Sequence, residues 1–215
     1  MHGPVIMKHT LDSVLAQVKR FIELAPKEVV VLDFHRFEKG FNKDEDSPQM
    51  VKRHHRKVMA LILKHFKDYL VPKYMGLTTS LDQMIANNKR VVIGYTSDHS
   101  MVHSRAKHLW PNTDDVEDMI EFFNETLCEP YSDQLSSAMA QLTADRFSII
   151  IDRYNGLRTM AQDVNRIITD AFNTGNKGWA KCANVVSTDY FLGNNLIDVS
   201  IKTNLIRAKQ ALKSD

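Results

Sequence analysis

Apolar residues recur at Leu11, Val14, Leu15, Val18, Phe21 and Ile22, a spacing close to 3.6 that predicts an amphipathic helix, capped by Thr10 and closed by Pro26. The pattern then changes. "EVVVLDF", residues 28–34, is a continuous β-branched run of strand length, as expected for a strand covered on both faces. The polar stretch "HRFEKGFNKDEDS" reads as a loop. Ser47-Pro48 then opens a long helix carrying Val51, Val58, Leu61, Ile62 and Phe66. A second buried strand is predicted in "RVVIGYT", residues 90–96, and residues 97–113 form a loop. "DDVEDMIEFFNETLC" follows as a helix with acidic residues in its first turn, where the helix dipole favours them. Between residues 134 and 173 either "SSAMAQL" or "FSIII" supplies a strand, and "GLRTMAQDVNRIITDAF" is helical on its spacing. The last strand is "ANVVSTDYF", residues 183–191, and a final helix runs through "LIDVSIKTNLIRAKQAL".

Buried strands alternating with helices predict an α/β fold with a parallel sheet and right-handed crossovers. Such a pattern fits an open doubly wound sheet and part of a closed barrel equally well. In both, chemistry sits at strand ends, which singles out His2, Asp33, His35, Tyr95, Thr96 and Asp189. Taken alone, Asp33 and Asp189 also fit turn-forming or capping carboxylates.

Length and composition narrow the picture further. At 215 residues, 43% hydrophobic and 25% charged, the chain has the make-up of one globular domain and not of a disordered, collagenous or membrane chain. Its net charge of +2, from 28 basic and 26 acidic residues, gives no global field for nucleic acid. The densest basic run, "VKRHHRK" at 51–57, reads as a solvated helix face. No apolar stretch is long enough to span a bilayer. Cys128 and Cys182 are too few for a disulfide framework and lack the CxxC spacing of zinc or redox motifs; they either pair or stay reduced.

The stretch "HGPVIMKHTLDSVLAQVKRFIELAPKEVVVLDF" resembles the X domain of phosphatidylinositol-specific phospholipase C, in which a histidine-glycine-proline strand end leads through a helix into the next strand. "LDQMIANNKRVVIGY", "LWPNT" and "NVVSTDYF" are similar to later strands of the same family, especially its small X-domain-containing members. The resemblance implies a distorted (β/α) TIM-type barrel of the PLC-like phosphodiesterase kind, and a phosphoric diester hydrolase acting in lipid metabolism or signalling. In the family one histidine is the general base on the inositol 2-hydroxyl and a second protonates the departing glycerol oxygen. His2 matches the second, and Asp189 matches the carboxylate that orients the first. Imidazole suits both tasks because it gives and takes protons near neutrality.

His35 stands where bacterial members have a lysine and the large signalling enzymes a calcium-binding glutamate. Neutral imidazole is a poor ligand for hard calcium, so calcium dependence is not expected; the expectation names no other metal and no cofactor. His35, Asp33 and Tyr95 are the candidate substrate-binding residues. Thr96 falls where bacterial enzymes place an inositol-binding arginine, so headgroup specificity does not carry over.

The family's first histidine and its phosphate-binding arginine have no counterpart ahead of His2. The expectation is therefore a single X-type domain over 1–215 that lacks its first strands, an N-terminally incomplete barrel with exposed strand edges and little turnover of its own. Its expected partner is a phospholipid or inositol phosphate at a membrane surface, with no nucleic acid and no transmembrane segment. An incomplete amino end leaves the compartment open between cytoplasmic and secreted. The competing readings are a non-catalytic module that binds a headgroup or a protein, and an unrelated α/β binding protein.

Overall fold

The computed structural model describes residues 9–37, 40–41, 44–76, 78–96, 100–129, 134–151, 153–173 and 178–213. His2 lies outside them. The chain divides into two compact units, 1–106 and 107–215.

In the first unit, α1 (Leu11–Leu24) begins where expected. The Thr10 side chain accepts from the Ser13 amide at 3.2 Å, and Leu15 and Ile22 are buried. Its far end is held by Arg90, which is almost wholly buried. Nη1 of Arg90 donates to the carbonyls of Ile22 at 2.8 Å and Ala25 at 3.1 Å, at the end of the helix where carbonyls lack partners within the helix; Ala25 also accepts from the Glu28 amide. Strand β1 (Val30–Phe34) follows, then α2 (Pro48–Phe66), the short α3 (Leu81–Ala86), β2 (Val91–Tyr95) and the two-residue β3 (His103–Ser104). Helix α3 was not apparent from periodicity. A capping box sets its start, the Ser80 and Gln83 side chains each accepting from the other's backbone N–H.

The three strands are parallel, in the order β1-β2-β3. Central β2 is buried throughout. Val91, Ile93 and Tyr95 pack against Leu15, Ile22, Val58, Ile62 and Phe66 of α1 and α2, while Val92 packs with Val71 and Met84 on the opposite face. Each fully buried side chain of this size stabilises the fold by roughly 1.5–3 kcal/mol. β1 lies at the sheet edge and is not covered on both faces, since Val31 is 46% exposed. His103 is buried in β3, with Nε2 against the Val71 carbonyl at 3.0 Å. That bond makes Nε2 the protonated nitrogen, and burial pulls the imidazole below its ordinary pKa.

The second unit contains β4 (Lys107–Leu109), α4 (Val116–Thr126), β5 (Ser136–Ala140), α5 (Arg146–Ile150), α6 (Leu157–Phe172), α7 (Trp179–Cys182), β6 (Val185–Thr188) and α8 (Leu196–Ala211). Its strands are also parallel, in the order β4-β5-β6. "SSAMA" is thus the strand of the two alternatives, and "FSII" lies in α5, which leaves Phe147, Ile149 and Ile150 exposed. The core gathers Met119, Phe123, Ala138, Val164, Ile168 and Phe172 around Trp179. Phe123 and Phe172 meet the Trp179 ring edge-on at 5.5 and 5.3 Å. Cys128 and Cys182 form a disulfide with their Cα atoms 5.0 Å apart, which settles the alternative left open by the sequence.

These sheets correct the expected fold class. The described strands do not form an N-terminally incomplete TIM-type barrel. They pair as two separate three-stranded sheets, and neither closes. A closed barrel needs a continuous ladder of about eight strands. Here each ladder ends after three, and the strands on either side of residues 105–106 are only two and three residues long. Within residues 97–113, expected to be a loop, β3 and β4 carry no periodic signal because they are shorter than one repeat of alternation.

Candidate functional site

The carboxyl end of the first sheet places Asp33 beside Gly94 in the parallel register, with Phe34 beside Tyr95. Side chains alternate along a strand, so Asp33 and Tyr95 emerge on opposite faces. This decides what each can do.

The Asp33 carboxylate lies across β2. A Cβ at residue 94 would sit 2.4 Å from Asp33 Oδ1, so only glycine leaves the carboxylate its path. Oδ1 accepts from the Ala106 amide at 2.8 Å, which ties the end of β1 to the chain leaving β3. The second oxygen, Oδ2, stands 3.6 Å from His35 Nδ1. The Asp33 side chain is 18% exposed and that of His35 47%, so a half-buried carboxylate backs an imidazole that solvent reaches. Arg105 donates from Nη1 to the His35 carbonyl at 3.1 Å and is itself exposed. A carboxylate and an imidazole therefore meet at the carboxyl end of a parallel sheet, the usual place for ligands in α/β folds, and a guanidinium is bonded to the backbone of the same histidine. Such a trio can hold an oxyanion and exchange a proton with it.

Tyr95 is not part of this group. Only 2% exposed, it hydrogen-bonds His55 Nδ1 through its hydroxyl at 2.8 Å. The rings of Phe34 and Phe37 pack against it at 5.8 and 5.2 Å. Burial pushes its phenol up to about 12. The same packing revises the reading of "VKRHHRK". Lys52, Arg53, Arg56 and Lys57 are exposed, but His54 and His55 turn inward. His54 Nδ1 bonds the Gly40 carbonyl at 2.6 Å, and Gly40 has φ +86, with room for no Cβ against that ring.

Asp189 follows β6 at the carboxyl end of the second sheet. The buried Asn165 fixes its backbone, donating from Nδ2 to the carbonyls of Asp189 and Tyr190 at 3.2 Å each. With Gln141, Leu142, Met160 and Val164, Asp189 lines a cavity of about 10 Å³, enough for one water and too small for a headgroup. Among the sequence candidates, then, the structure brings Asp33 and His35 together, buries Tyr95 on the other face of their sheet, and sets Asp189 in the other unit. Arg105 and Gly94 were not foreseen. A glycine within a strand signals close approach of another group, and that signal was available at Gly94 in "VVIGY". Arg105, between two very short strands, carried none. Comparison of the chain with family models, curated proteins and solved structures returns no match.

Proposed function

We propose that this protein is a phosphoric diester hydrolase that cleaves the headgroup phosphodiester of a phospholipid by histidine acid–base catalysis. The observation that carries the reading is the His35 imidazole, exposed to solvent, backed by Asp33 and neighboured by Arg105 at the carboxyl end of β1. The "HGPV" resemblance supports it independently.

In this reading Arg105 neutralises a phosphoryl oxygen, while His35 takes the proton of the attacking hydroxyl. Asp33, pinned over Gly94, orients the ring as the aspartate does in a Ser-His-Asp triad. His2 donates the proton to the departing glycerol oxygen, as the resemblance implies. The motif alone pointed to low turnover, because it offered no second histidine in the base role. His35 is a group able to fill that role.

The test is release of inositol phosphate from phosphatidylinositol vesicles by the full chain, with chelator present. Calcium-independent release is expected, falling by about 10² or more in His35→Ala, the scale of one acid–base group. Asp33→Asn should lower kcat with little change in KM, since it acts through His35. Arg105 favours a second reading, a headgroup-binding protein without turnover, because an exposed guanidinium holds a phosphate with no proton transfer. Saturable binding of inositol phosphate that Arg105→Ala removes, without product in any assay, would replace the first reading with the second.

A further inference from the structure

Helix α5 reverses the usual pattern of burial. Ser148, in its middle, is 2% exposed, while Phe147, Ile149 and Ile150 are between 65% and 80% exposed and Ile151, just behind them, is exposed as well. This orientation is fixed. The Asp145 carboxylate caps the helix, accepting from the amides of Phe147 at 2.7 Å and Ser148 at 3.0 Å and from the Ser148 hydroxyl at 2.6 Å. The polar side chain is thereby held inward and the apolar ones outward. Single apolar side chains on a surface are ordinary, whereas a contiguous cluster marks a contact.

The shape of the cluster selects the kind of contact. At about 100° per residue, the side chains of residues 147, 149, 150 and 151 take up roughly 200° of the helix circumference. A helix that packs on a protein turns a stripe of about 100° to its neighbour, so much of this arc would stay in water against a protein face. Hydrocarbon closes around a projecting turn from every side.

Neighbouring residues fit a bilayer too. Helix α5 follows β5 at the carboxyl end of the second sheet, and Trp110, directly after β4, stands at the same end, its Nε1 donating to Thr143 Oγ1 at 3.0 Å. The Trp110 ring is half exposed, and an indole's apolar body and polar tip suit the headgroup level of a membrane. Arg153, in the turn after α5, and Arg158, in the first turn of α6, are exposed, Arg153 lying 4.0 Å from Asp114. The Asp145 carboxylate is taken up by the cap. An apolar tip accompanied by arginines is complementary to an anionic lipid surface.

We propose that α5 docks the protein on an anionic bilayer, with Phe147, Ile149, Ile150 and Ile151 in the headgroup–acyl boundary and Arg153 and Arg158 facing anionic headgroups. A helix of five residues is only about 7 Å long, so the insertion is shallow. The proposal rests on the second unit alone and needs no turnover at Asp33 and His35, so its test contains no phosphatidylinositol.

The probe is vesicles of phosphatidylcholine and phosphatidylserine, about 7:3, sedimented with the full chain. Saturable co-sedimentation is expected, and vesicles of pure phosphatidylcholine should bind at least about tenfold more weakly. Ile150→Asp should weaken binding to the anionic vesicles about tenfold or more, with an unchanged urea midpoint because the side chain is exposed. Arg153→Gln with Arg158→Gln should weaken binding to the same vesicles and leave binding to pure phosphatidylcholine unchanged. One readout needs no variant. Phospholipids brominated high on the acyl chains should quench Trp110 in the wild-type chain and not Trp179, which is buried. Absence of that quenching, or anionic-vesicle binding by either variant equal to the wild type's, would overturn the proposal. So would a wild-type dimer in analytical ultracentrifugation that Ile150→Asp turns into a monomer, since a second copy would then cover the cluster.

Discussion

At the scale of single residues, the candidate site depends on an absent side chain as much as on those present. Gly94 gives the Asp33 carboxylate its route to the Ala106 amide. Gly94→Ala should therefore destabilise the protein by about 1–3 kcal/mol, the range for overpacking. In a double-mutant cycle by urea denaturation, adding Asp33→Ala should recover much of that loss, because the clash is with Asp33 Oδ1 at 2.4 Å. Additive effects would show that the carboxylate does not lie over residue 94. Tyr95 gives a prediction in pH. Its phenol titrates near 10 when unfolded and at about 12 when folded, so above pH 10 the unfolded chain releases a proton that the folded chain keeps. Stability should fall as pH rises from 10 to 12, and Tyr95→Phe should flatten that part of the urea-midpoint profile. His103 works in the opposite range. Its lowered pKa makes the unfolded state bind more protons below about 6.5, so its contribution weakens the fold as pH falls.

Elements follow their local signals closely where those signals are long. Helix α1 keeps its predicted start at Leu11 because Thr10 caps it, and α2 starts at Pro48 behind a Ser47 that accepts from the Met50 amide. Strand β6 is shorter than "ANVVSTDYF" suggested, because Asn165 captures the carbonyls of Asp189 and Tyr190 and turns the chain there. The inward turn of His54 and His55 was illegible for a different reason. Their partners, Gly40 and Tyr95, lie 14 and 40 residues away, beyond any window that reads a charge run. The disulfide belongs to this scale too, since it joins the residue after the α4 region to the end of α7 across a separation of 54 residues. Closing a loop of that length stabilises a fold by about 4 kcal/mol in the chain-entropy model. Both tryptophans, Trp110 and Trp179, lie in the disulfide's own unit, so their fluorescence reports it directly. Reduction should move the fluorescence-detected urea midpoint to a clearly lower concentration. An unchanged midpoint would mean that the cysteines do not pair in solution.

On the scale of the whole molecule, strand–helix alternation was enough to predict parallel pairing, and it was not enough to predict closure. How many strands share one ladder depends on pairings such as Gly94 with His103 and Lys107 with Ser136, in strands of two and three residues. No periodicity survives at that length, so the barrel expected from the family resemblance gives way to two open sheets. The site shows the same division. Asp33 and His35 are two residues apart and were legible together, whereas Arg105 reaches His35 from 70 residues away. The crosslink between Cys128 and Cys182 has one more effect, on covalent topology. It makes the segment between them a ring, and that ring contains α5 with its exposed Phe147, Ile149 and Ile150. A protease that cuts at this outward-facing turn opens the ring but releases no fragment. The two pieces stay joined through sulfur, so a cut at this exposed stretch leaves the molecule whole.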